Sequence, residues 1–287
     1  PYTTLFRSQQ TRRLSISGVQ LKYALALSEN ALNLTETGGQ YLLKPIPPQI
    51  IAYPQEVPEN EHLTMQIAHQ VFGIDTAANA LIYFEDGQPA YITKRFDIMP
   101  DGKRYPQEDF AQLSGKQKTT LGPNYKYNGT YEDIGLLIKK YVAAYLPALE
   151  TFFKIVCFNY LFSNGDAHLK NFSLYRSDAG DYRLTPAYDL LCTLIHSPGE
   201  TDTALDLFEG DIDTPYYQTY GHHGYPDFLE LAGRLSLNEQ RARRILAEMT
   251  SKQEQVTHLI NSSFLSPEVQ ALYLKYYSDK LGRLKPA

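Results

Sequence analysis

The chain has 287 residues, of which 43% are hydrophobic and 21% are charged. This composition is that of a folded protein with a substantial core, and it lacks the low hydrophobicity of disordered chains. The net charge of -5 provides no overall basic field, which argues against direct binding of nucleic acid. No apolar stretch is long enough to cross a bilayer, and residues 1–20 contain no signal-peptide core, so we expect a cytoplasmic protein without membrane contact.

The first hundred residues predict a β-rich region with one helix. Alternating apolar positions separated by turns predict antiparallel strands at residues 20–27, 31–35 and 40–44. The proline-rich residues 45–58 predict a loop, and the apolar spacing after Glu59 predicts a helix. A further hairpin is predicted at residues 80–96, around an Asp-Gly turn.

Beyond Pro100 the apolar residues recur at helical spacing and predict a mainly helical region. We expect helices at residues 131–145, 149–162, 225–233, 237–260 and 267–281, and a short hairpin at residues 172–185. Cys157 and Cys192 lie among apolar neighbours without metal-ligand spacing. They are therefore predicted to be core thiols.

Residues 164–171 interrupt the helical pattern with a polar segment that directly follows a strongly apolar one. Asp166 and Asn171 have the D-x-x-x-x-N spacing of kinase catalytic loops. In such a loop the aspartate accepts the proton of an incoming hydroxyl, and the asparagine oxygen coordinates Mg²⁺. A solvated loop with an Asx-turn is the alternative, so the spacing alone does not establish a catalytic loop.

Asp189 lies between apolar neighbours in residues 186–191, a position that a surface location explains poorly. A second Mg²⁺ ligand explains this carboxylate well, and the alternative is an aspartate that caps a short helix. When the polar segment at residues 164–171 is considered as well, a Mg²⁺ ligand is a better interpretation of Asp189 than a helix cap.

Lys44 ends a predicted strand, where the lysine of kinases that binds nucleotide phosphates is found, although lysines are also common at strand edges. For Glu61 we favour ordinary compensation of the helix dipole over an ion pair with Lys44.

Residues 15–22 form a small-residue loop that can present N–H groups to phosphates. With one glycine, this loop matches neither common glycine-rich nucleotide motif.

Together these segments resemble the HipA-like serine/threonine kinase toxins, and more closely their compact HipT-like branch. The resemblance is carried by residues 15–22, 42–45, 59–62, 94–97, 164–171 and 186–191. It implies a two-lobed, protein-kinase-like α+β fold, with a β-rich N-lobe at residues 1–99 and a mainly helical C-lobe at residues 100–287. It also implies a serine/threonine protein kinase that uses ATP and Mg²⁺.

The same resemblance implies a role for each site residue. Asp166 would be the catalytic base, while Asn171 and Asp189 would hold Mg²⁺. Residues implied to contact the nucleotide are Ser17, Gly18, Val19, Gln20, Leu21, Lys22, Lys44, Lys94, Arg95, Phe96, His168, Leu169, Lys170, Asn171, Tyr188 and Asp189. Ser15 and Ser17 occupy the position at which such kinases autophosphorylate.

The resemblance also implies partners. Because the phosphate loop begins at Ser15, the chain leaves no room for the small N-terminal domain of longer relatives, which is a separate protein in HipT-like systems. We therefore expect a HipS-like small protein and a HipB-like DNA-binding antitoxin as partners, and an aminoacyl-tRNA synthetase as substrate.

Two other functions remain open. A small-molecule kinase shares the two-lobed arrangement and the same catalytic residues, although it has no need of a phosphorylatable residue such as Ser15. An inactive, kinase-like subunit of a repressor complex is the other alternative. The presence of Lys44, Asp166, Asn171 and Asp189 together argues against it.

Overall fold

The computed structural model describes residues 21–48, 50–99, 101–209 and 214–286. Its first element is an antiparallel sheet of five strands, in the order β2-β1-β3-β5-β4. These strands are β1 (Tyr23–Ser28), β2 (Ala31–Leu34), β3 (Tyr41–Pro45), β4 (Asn79–Tyr83) and β5 (Pro89–Lys94). The predicted strands and hairpin are confirmed, except that β1 begins at Tyr23 and residue 20 of the first predicted strand lies outside the described residues. Strand β3, which carries Lys44, lies at the centre of the sheet.

The two faces of this sheet have different roles. Because side chains alternate between the faces of a strand, Leu43 and Lys44 point in opposite directions. Leu43 joins a small apolar cluster with Leu25 and Ile92. Lys44 pairs across the sheet with Tyr91, and its ammonium lies 5.2 Å from the centre of that ring. The Lys44 face is the one that bears the candidate site.

Helix α1 (Val57–Gln66) packs against β4 and β5. It follows a 3₁₀ turn at Pro54–Glu56 and continues into a π-helical turn at Ile67–Val71. The predicted loop therefore ends earlier than expected. Pro58 lies in the first helical turn, where a missing N–H group has no intrahelical partner to lose, so the proline does not exclude a helix there.

The rest of the chain is mainly helical, with a second, three-stranded sheet. The helices are α2 (Phe110–Leu113), α3 (Lys118–Leu121), α4 (Tyr131–Tyr141), α5 (Tyr145–Leu161), α6 (Thr193–His196), α7 (Pro215–Tyr220), α8 (Tyr225–Arg234), α9 (Glu239–Ser251), α10 (Gln253–Asn261) and α11 (Pro267–Arg283). The sheet consists of β6 (Gln107–Asp109), β7 (Ser173–Arg176) and β8 (Tyr182–Leu184).

Most of the predicted helices are confirmed, with three differences. Helix α4 ends at Tyr141 and not at Tyr145, because the backbone becomes extended at Val142. Helix α5 begins at Tyr145, two residues before Pro147, and not after the proline as predicted. A proline is tolerated in the first helical turn because a backbone N–H at that position has no intrahelical partner. The predicted helix at residues 237–260 is two helices, α9 and α10. At Lys252 the backbone leaves the helix, and the ammonium of this lysine donates to the carbonyl of Val71 (2.7 Å). Periodicity does not reveal such a tertiary contact.

One hydrophobic core joins the β-rich and helical regions. Phe72, which follows α1, packs edge to face on Phe158 of α5, with ring centres 5.7 Å apart. Phe162 stacks on Tyr277 of α11 (5.2 Å). Cys157 and Cys192 are buried and unpaired, which confirms that they are core thiols. The boundary between two lobes at residue 100 stays a prediction.

None of the helices in the described ranges is long and apolar enough to cross a membrane.

Candidate active site

Lys44 is the centre of a buried ionic cluster. Its side chain is 3% exposed and donates hydrogen bonds to Glu61 on α1 and to Asp189. Burial alone would lower the pKa of Lys44, but Asp189 and Glu61 outweigh burial and raise it. The lysine is therefore a fixed positive charge at the end of β3 and not a strand-edge lysine exposed to solvent.

The interpretation of Glu61 as a residue that merely compensates the helix dipole was wrong. Glu61 is 1% exposed, because α1 packs against the sheet face that carries Lys44. A buried carboxylate requires a hydrogen-bonded partner, and Lys44 supplies it. The ion pair thus depends on how the helix is placed against the sheet.

We expect Glu61→Gln to lower the free energy of unfolding by about 3 kcal/mol, because it removes one partner of a buried ion pair. This value is at the low end for such a change, since Asp189 still compensates the charge of Lys44. Urea denaturation measures the change. Glu59→Gln is the matched control on the same helix. Burial, followed by the nearby Glu56, raises the pKa of Glu59 to about 7, so loss of its charge should not destabilise the fold. Equal stabilities of the two variants would contradict the assigned ion pair.

Asp189 lies between the lysines and the polar loop. Lys22 Nζ is 3.6 Å from Asp189 Oδ2, and Asn171 Nδ2 donates to the same oxygen (3.4 Å). Burial by itself would raise the pKa of Asp189, but Lys22 and Lys44 outweigh burial and hold the pKa well below its usual range. The carboxylate is therefore ionised. It does not cap a helix, since α6 begins four residues later at Thr193.

The backbone of Asp189 has a φ of 55°, in the left-handed region that non-glycine residues rarely adopt. Its carbonyl accepts a hydrogen bond from Asn164 Nδ2 (3.3 Å), and Asn164 Nδ2 also donates to Asn159 Oδ1 (2.8 Å). The polar loop thus holds this uncommon conformation in place. Such conformations are concentrated at functional sites.

Asp166 is 3% exposed, so the segment around it is not a solvated loop. Its carboxylate accepts a hydrogen bond from the Tyr127 hydroxyl, and its Oδ1 lies 3.9 Å from His168 Nε2. Burial lowers the pKa of His168 to about 4, which makes the imidazole neutral at neutral pH. The N–H of Gly165 donates to Thr193 Oγ1 (2.8 Å), which ties the loop to the start of α6.

A cavity of about 450 Å³ opens in front of Lys44, within the usual size range of ligand pockets. Its walls include Lys22, Lys44, Lys94, Arg95, Phe96, Lys170, Tyr188 and Asp189. The rings of Phe96 and Tyr188 are 5.7 Å apart, and Lys170 pairs with Asp109. The structure therefore places most of the described residues that were predicted to contact a nucleotide around one cavity.

Four predicted residues do not line this cavity: Leu21, His168, Leu169 and Asn171. Leu21 is 48% exposed, whereas Leu169 is buried in the main core. Their contacts with a cofactor stay predictions. Ser15, Ser17, Gly18, Val19 and Gln20 lie outside the described residues.

The donor set fits Mg²⁺ shared with a phosphate ligand. Among the described residues, no group of three or more histidine, cysteine, aspartate or glutamate side chains could hold a metal ion. Asp189 and Asn171 offer a carboxylate and an amide oxygen, and Mg²⁺ commonly takes its remaining ligands from substrate phosphates and water. The Asn171 oxygen accepts from the N–H of His168 (3.1 Å), and a carbonyl oxygen has a second lone pair for the metal.

Asn60 was not recognised from the sequence as a residue of the site, although it connects the helix that carries Glu61 to the segment that carries Asp189. Its side-chain amide donates to the carbonyl of Cys192 (2.9 Å) and accepts from the N–H of the same residue (3.0 Å). It also contacts His196 Nε2 (2.8 Å). Asn60 precedes Glu61, and Cys192 is three residues from Asp189. We call this pair of bonds the Asn60 clamp.

Two other residues of the site were also missed. Asp109, the partner of Lys170, forms a capping box with Gln112 at the start of α2. The D-x-x-Q spacing is a sequence signal for that helix start, although not for the contact with Lys170. Tyr127, the partner of Asp166, has no local signal.

The family model described as HipA-like C-terminal domain matches residues 14–257. The chain belongs to this family. The resemblance inferred from the sequence segments is therefore confirmed at the level of the HipA-like family.

Similar curated sequences carry kinase names. A Haemophilus influenzae protein named "Putative kinase" is 28% identical over 97% of this chain and 84% of its own length. The Sinorhizobium fredii protein "Putative kinase Y4dM" is 34% identical over 68% of this chain and 49% of its own length. The chain thus spans most of the first relative and about half of the second.

Two solved structures share the fold of this HipA-like chain. HipA of Shewanella oneidensis, in a complex with HipB and operator DNA, has a TM-score of 0.65 and 19% identity, covering 95% of this chain and 64% of that chain. The Helicobacter pylori proinflammatory kinase CtkA has a TM-score of 0.58 and 15% identity, covering 90% of this chain and 92% of that chain. The predicted kinase-like α+β fold is confirmed, and the comparisons together support a kinase of the HipA type.

Proposed function

We propose that the chain is an ATP- and Mg²⁺-dependent serine/threonine protein kinase. The observation that carries the proposal is the ionic cluster of Lys44, Glu61 and Asp189 at a cavity of nucleotide size, with Asp166 on the neighbouring loop. A kinase lysine paired with a helix glutamate, a metal-binding aspartate and a catalytic-loop aspartate are recurring parts of phosphoryl-transfer sites.

Each residue has a role in this proposal. The Lys44 ammonium, oriented by its two carboxylates, binds phosphate oxygens of the nucleotide. Asp189 and Asn171 hold Mg²⁺, which when bound neutralises negative charge on the phosphates. Asp166 accepts the proton of the attacking hydroxyl. The rings of Phe96 and Tyr188, which both line the cavity, provide an apolar surface on which an adenine would pack.

The test is incubation with γ-labelled ATP and Mg²⁺, alone and with bacterial lysate, followed by mapping of the phosphorylated sites. Phosphoserine or phosphothreonine in this chain or in a lysate protein supports the proposal. Label transferred only to small molecules would instead indicate a small-molecule kinase. No transfer by the wild-type chain would favour an inactive kinase-like subunit.

The proposed setting is a HipBST-like toxin–antitoxin system, in which this chain is the toxin kinase. A HipS-like small protein and a HipB-like DNA-binding protein are the proposed partners, and an aminoacyl-tRNA synthetase is the proposed substrate. The Shewanella HipA structure, which contains HipB and operator DNA, supports this setting. Co-purification of a tagged chain with proteins encoded next to it tests the partners, and phosphosite mapping in the lysate tests the substrate.

We expect Ser15 or Ser17 to carry phosphate after incubation with ATP. Phosphorylation at this position should lower the kinase activity of the chain. A phosphate adds about -1.5 to -2 charge and would repel the phosphates of bound nucleotide. Mass spectrometry of the protein made in bacteria measures the modification, with Asp166→Asn as the control. Phosphate present equally in both proteins, or absent from both serines of the active enzyme, would remove the case for autophosphorylation.

A further inference from the structure

Three consecutive residues of the catalytic loop are contacted by one short segment, Tyr125 to Tyr131, that the proposed mechanism does not use. The hydroxyl of Tyr127 donates to Asp166 Oδ1. The ring of Tyr127 meets the His168 ring edge to face, with centres 5.2 Å apart. The hydroxyl of Tyr131 donates to the carbonyl of Ala167 (3.0 Å). We infer that Tyr127 is a positioning residue that fixes the orientation of the Asp166 carboxylate for phosphoryl transfer, an inference that rests on the proposed kinase function.

The segment has firm attachments of its own. The ammonium of Lys116 donates to the carbonyl of Asn128, and the N–H of Tyr131 donates to the carbonyl of Asp206 (3.0 Å). Thr130 begins α4 with a capping box, in which its side chain accepts from the N–H of Asp133 (2.9 Å). Tyr127 is therefore presented to Asp166 from a supported turn.

The terminal torsion of an aspartate is soft, so a hydrogen bond to one carboxylate oxygen helps to fix the orientation of the Asp166 side chain. A hydrogen bond from a hydroxyl to a carboxylate is short and strong and defines the plane of the group. His168 does not replace it, since its Nε2 is 3.9 Å from Oδ1, beyond hydrogen-bond distance.

The neighbouring Lys126 supports the orientation of the phenol. Its ammonium lies 5.0 Å from the centre of the Tyr127 ring, and Lys126 is only 8% exposed. A cation near the ring face is attracted by the π electrons, more strongly where water is excluded. The tyrosine ring is therefore contacted by both the His168 ring and the Lys126 ammonium.

In the reaction, the substrate hydroxyl oxygen forms a bond to the γ-phosphorus, the bond from that phosphorus to the bridging oxygen of ADP breaks, and the hydroxyl proton passes to Asp166. Tyr127 neither gives nor receives a proton in this sequence. It acts only by holding the acceptor in place, and Asp166 does not line the nucleotide cavity. Removal of the Tyr127 hydroxyl should therefore affect turnover and leave nucleotide binding unchanged.

Tyr127→Phe removes the hydroxyl and keeps the ring. We expect kcat to fall about 10- to 100-fold, the effect of a lost hydrogen bond to a charged group. The KM for ATP and the calorimetric Kd for Mg²⁺-ATP should change less than about twofold, since Lys44 and Asp189 are untouched. Tyr141→Phe is the matched control: Tyr141, at the end of α4, packs on Tyr182 of β8 (ring centres 6.4 Å apart), and the variant should keep wild-type kcat. Unchanged kcat in Tyr127→Phe, or a rise in KM without loss of kcat, would overturn the inference.

Hydrogen exchange provides a readout that does not depend on activity. The N–H groups of Asp166 and His168 are hydrogen-bonded within the loop, to Asn164 Oδ1 (3.3 Å) and to the carbonyl of Asp166 (2.8 Å). We expect their exchange to accelerate severalfold in nucleotide-free Tyr127→Phe and to stay unchanged in Tyr141→Phe. Equal exchange in all three proteins would refute a positioning role. If the wild-type chain transfers no phosphate, the proposed function fails and this inference fails with it, whereas phosphate transfer by the wild type together with equal exchange in all three proteins would refute the inference alone.

Discussion

Asp166→Asn will reduce phosphoryl transfer by about 10²–10⁴-fold, the usual contribution of a positioned general base, and will leave the fold and nucleotide binding intact. The asparagine has nearly the same shape, and its amide oxygen can still accept the hydrogen bond from Tyr127. It cannot take up the proton of the attacking hydroxyl. Because Asp166 lies outside the cavity that contains Lys44, the binding energy of the nucleotide should be preserved.

Three measurements separate these effects. Single-turnover transfer from γ-labelled ATP gives the chemical rate, calorimetry gives the Kd of Mg²⁺-ATP, and thermal denaturation shows whether the variant is folded. Asp279→Asn serves as a control for the same chemical change at an exposed position, where the aspartate pairs with Arg283 on α11. Turnover by Asp166→Asn at the wild-type rate would rule out the assignment of this residue as the base.

Asp189→Asn should abolish measurable turnover and also weaken Mg²⁺-ATP binding. Loss of a partner that only orients a metal ligand typically costs about 10- to 100-fold in metal affinity, so loss of a carboxylate ligand should cost at least as much. The same change removes one of the two carboxylates that orient Lys44. Glu61 continues to compensate the lysine charge, so the protein should still fold.

Calorimetric titration of ATP at increasing Mg²⁺ concentrations tests this expectation. The wild-type chain should bind ATP more tightly as Mg²⁺ rises, whereas Asp189→Asn should lose most of this dependence. Asp166→Asn should resemble the wild type, which makes the two variants a matched pair for chemistry and for binding. An unchanged magnesium dependence in Asp189→Asn would show that the metal is held elsewhere.

The sequence predicted the residues whose local context is unusual. Asp189 is a carboxylate among apolar neighbours, and Asp166 with Asn171 forms a polar interruption after an apolar helix. The structure places them near one another because the loop and the Asp189 segment are joined through Asn164. Lys44 was identified from its place at the end of a predicted strand, where the phosphate-binding lysine of kinases is found, although the sequence did not distinguish it from an ordinary strand-edge lysine.

The residues that were missed act through contacts distant in sequence. Tyr127 is 39 residues from Asp166, and Asn60 is 132 residues from Cys192. Glu61 was misinterpreted because its position near the start of a helix already has a sufficient local explanation. Only the packing of α1 on the sheet shows that its carboxylate is buried beside Lys44.

The Asn60 clamp makes the two carboxylates around Lys44 one mechanical unit. Because Asn60 and Glu61 are adjacent on α1, the helix cannot withdraw Glu61 without pulling on Cys192 and the segment that carries Asp189. The clamp is fully buried, so its amide and the backbone groups that it pairs with would lose their partners where no water can replace them. Movement of α1 away from the sheet would therefore also strain the segment that carries Asp189, so the positions of the two carboxylates around Lys44 are coupled.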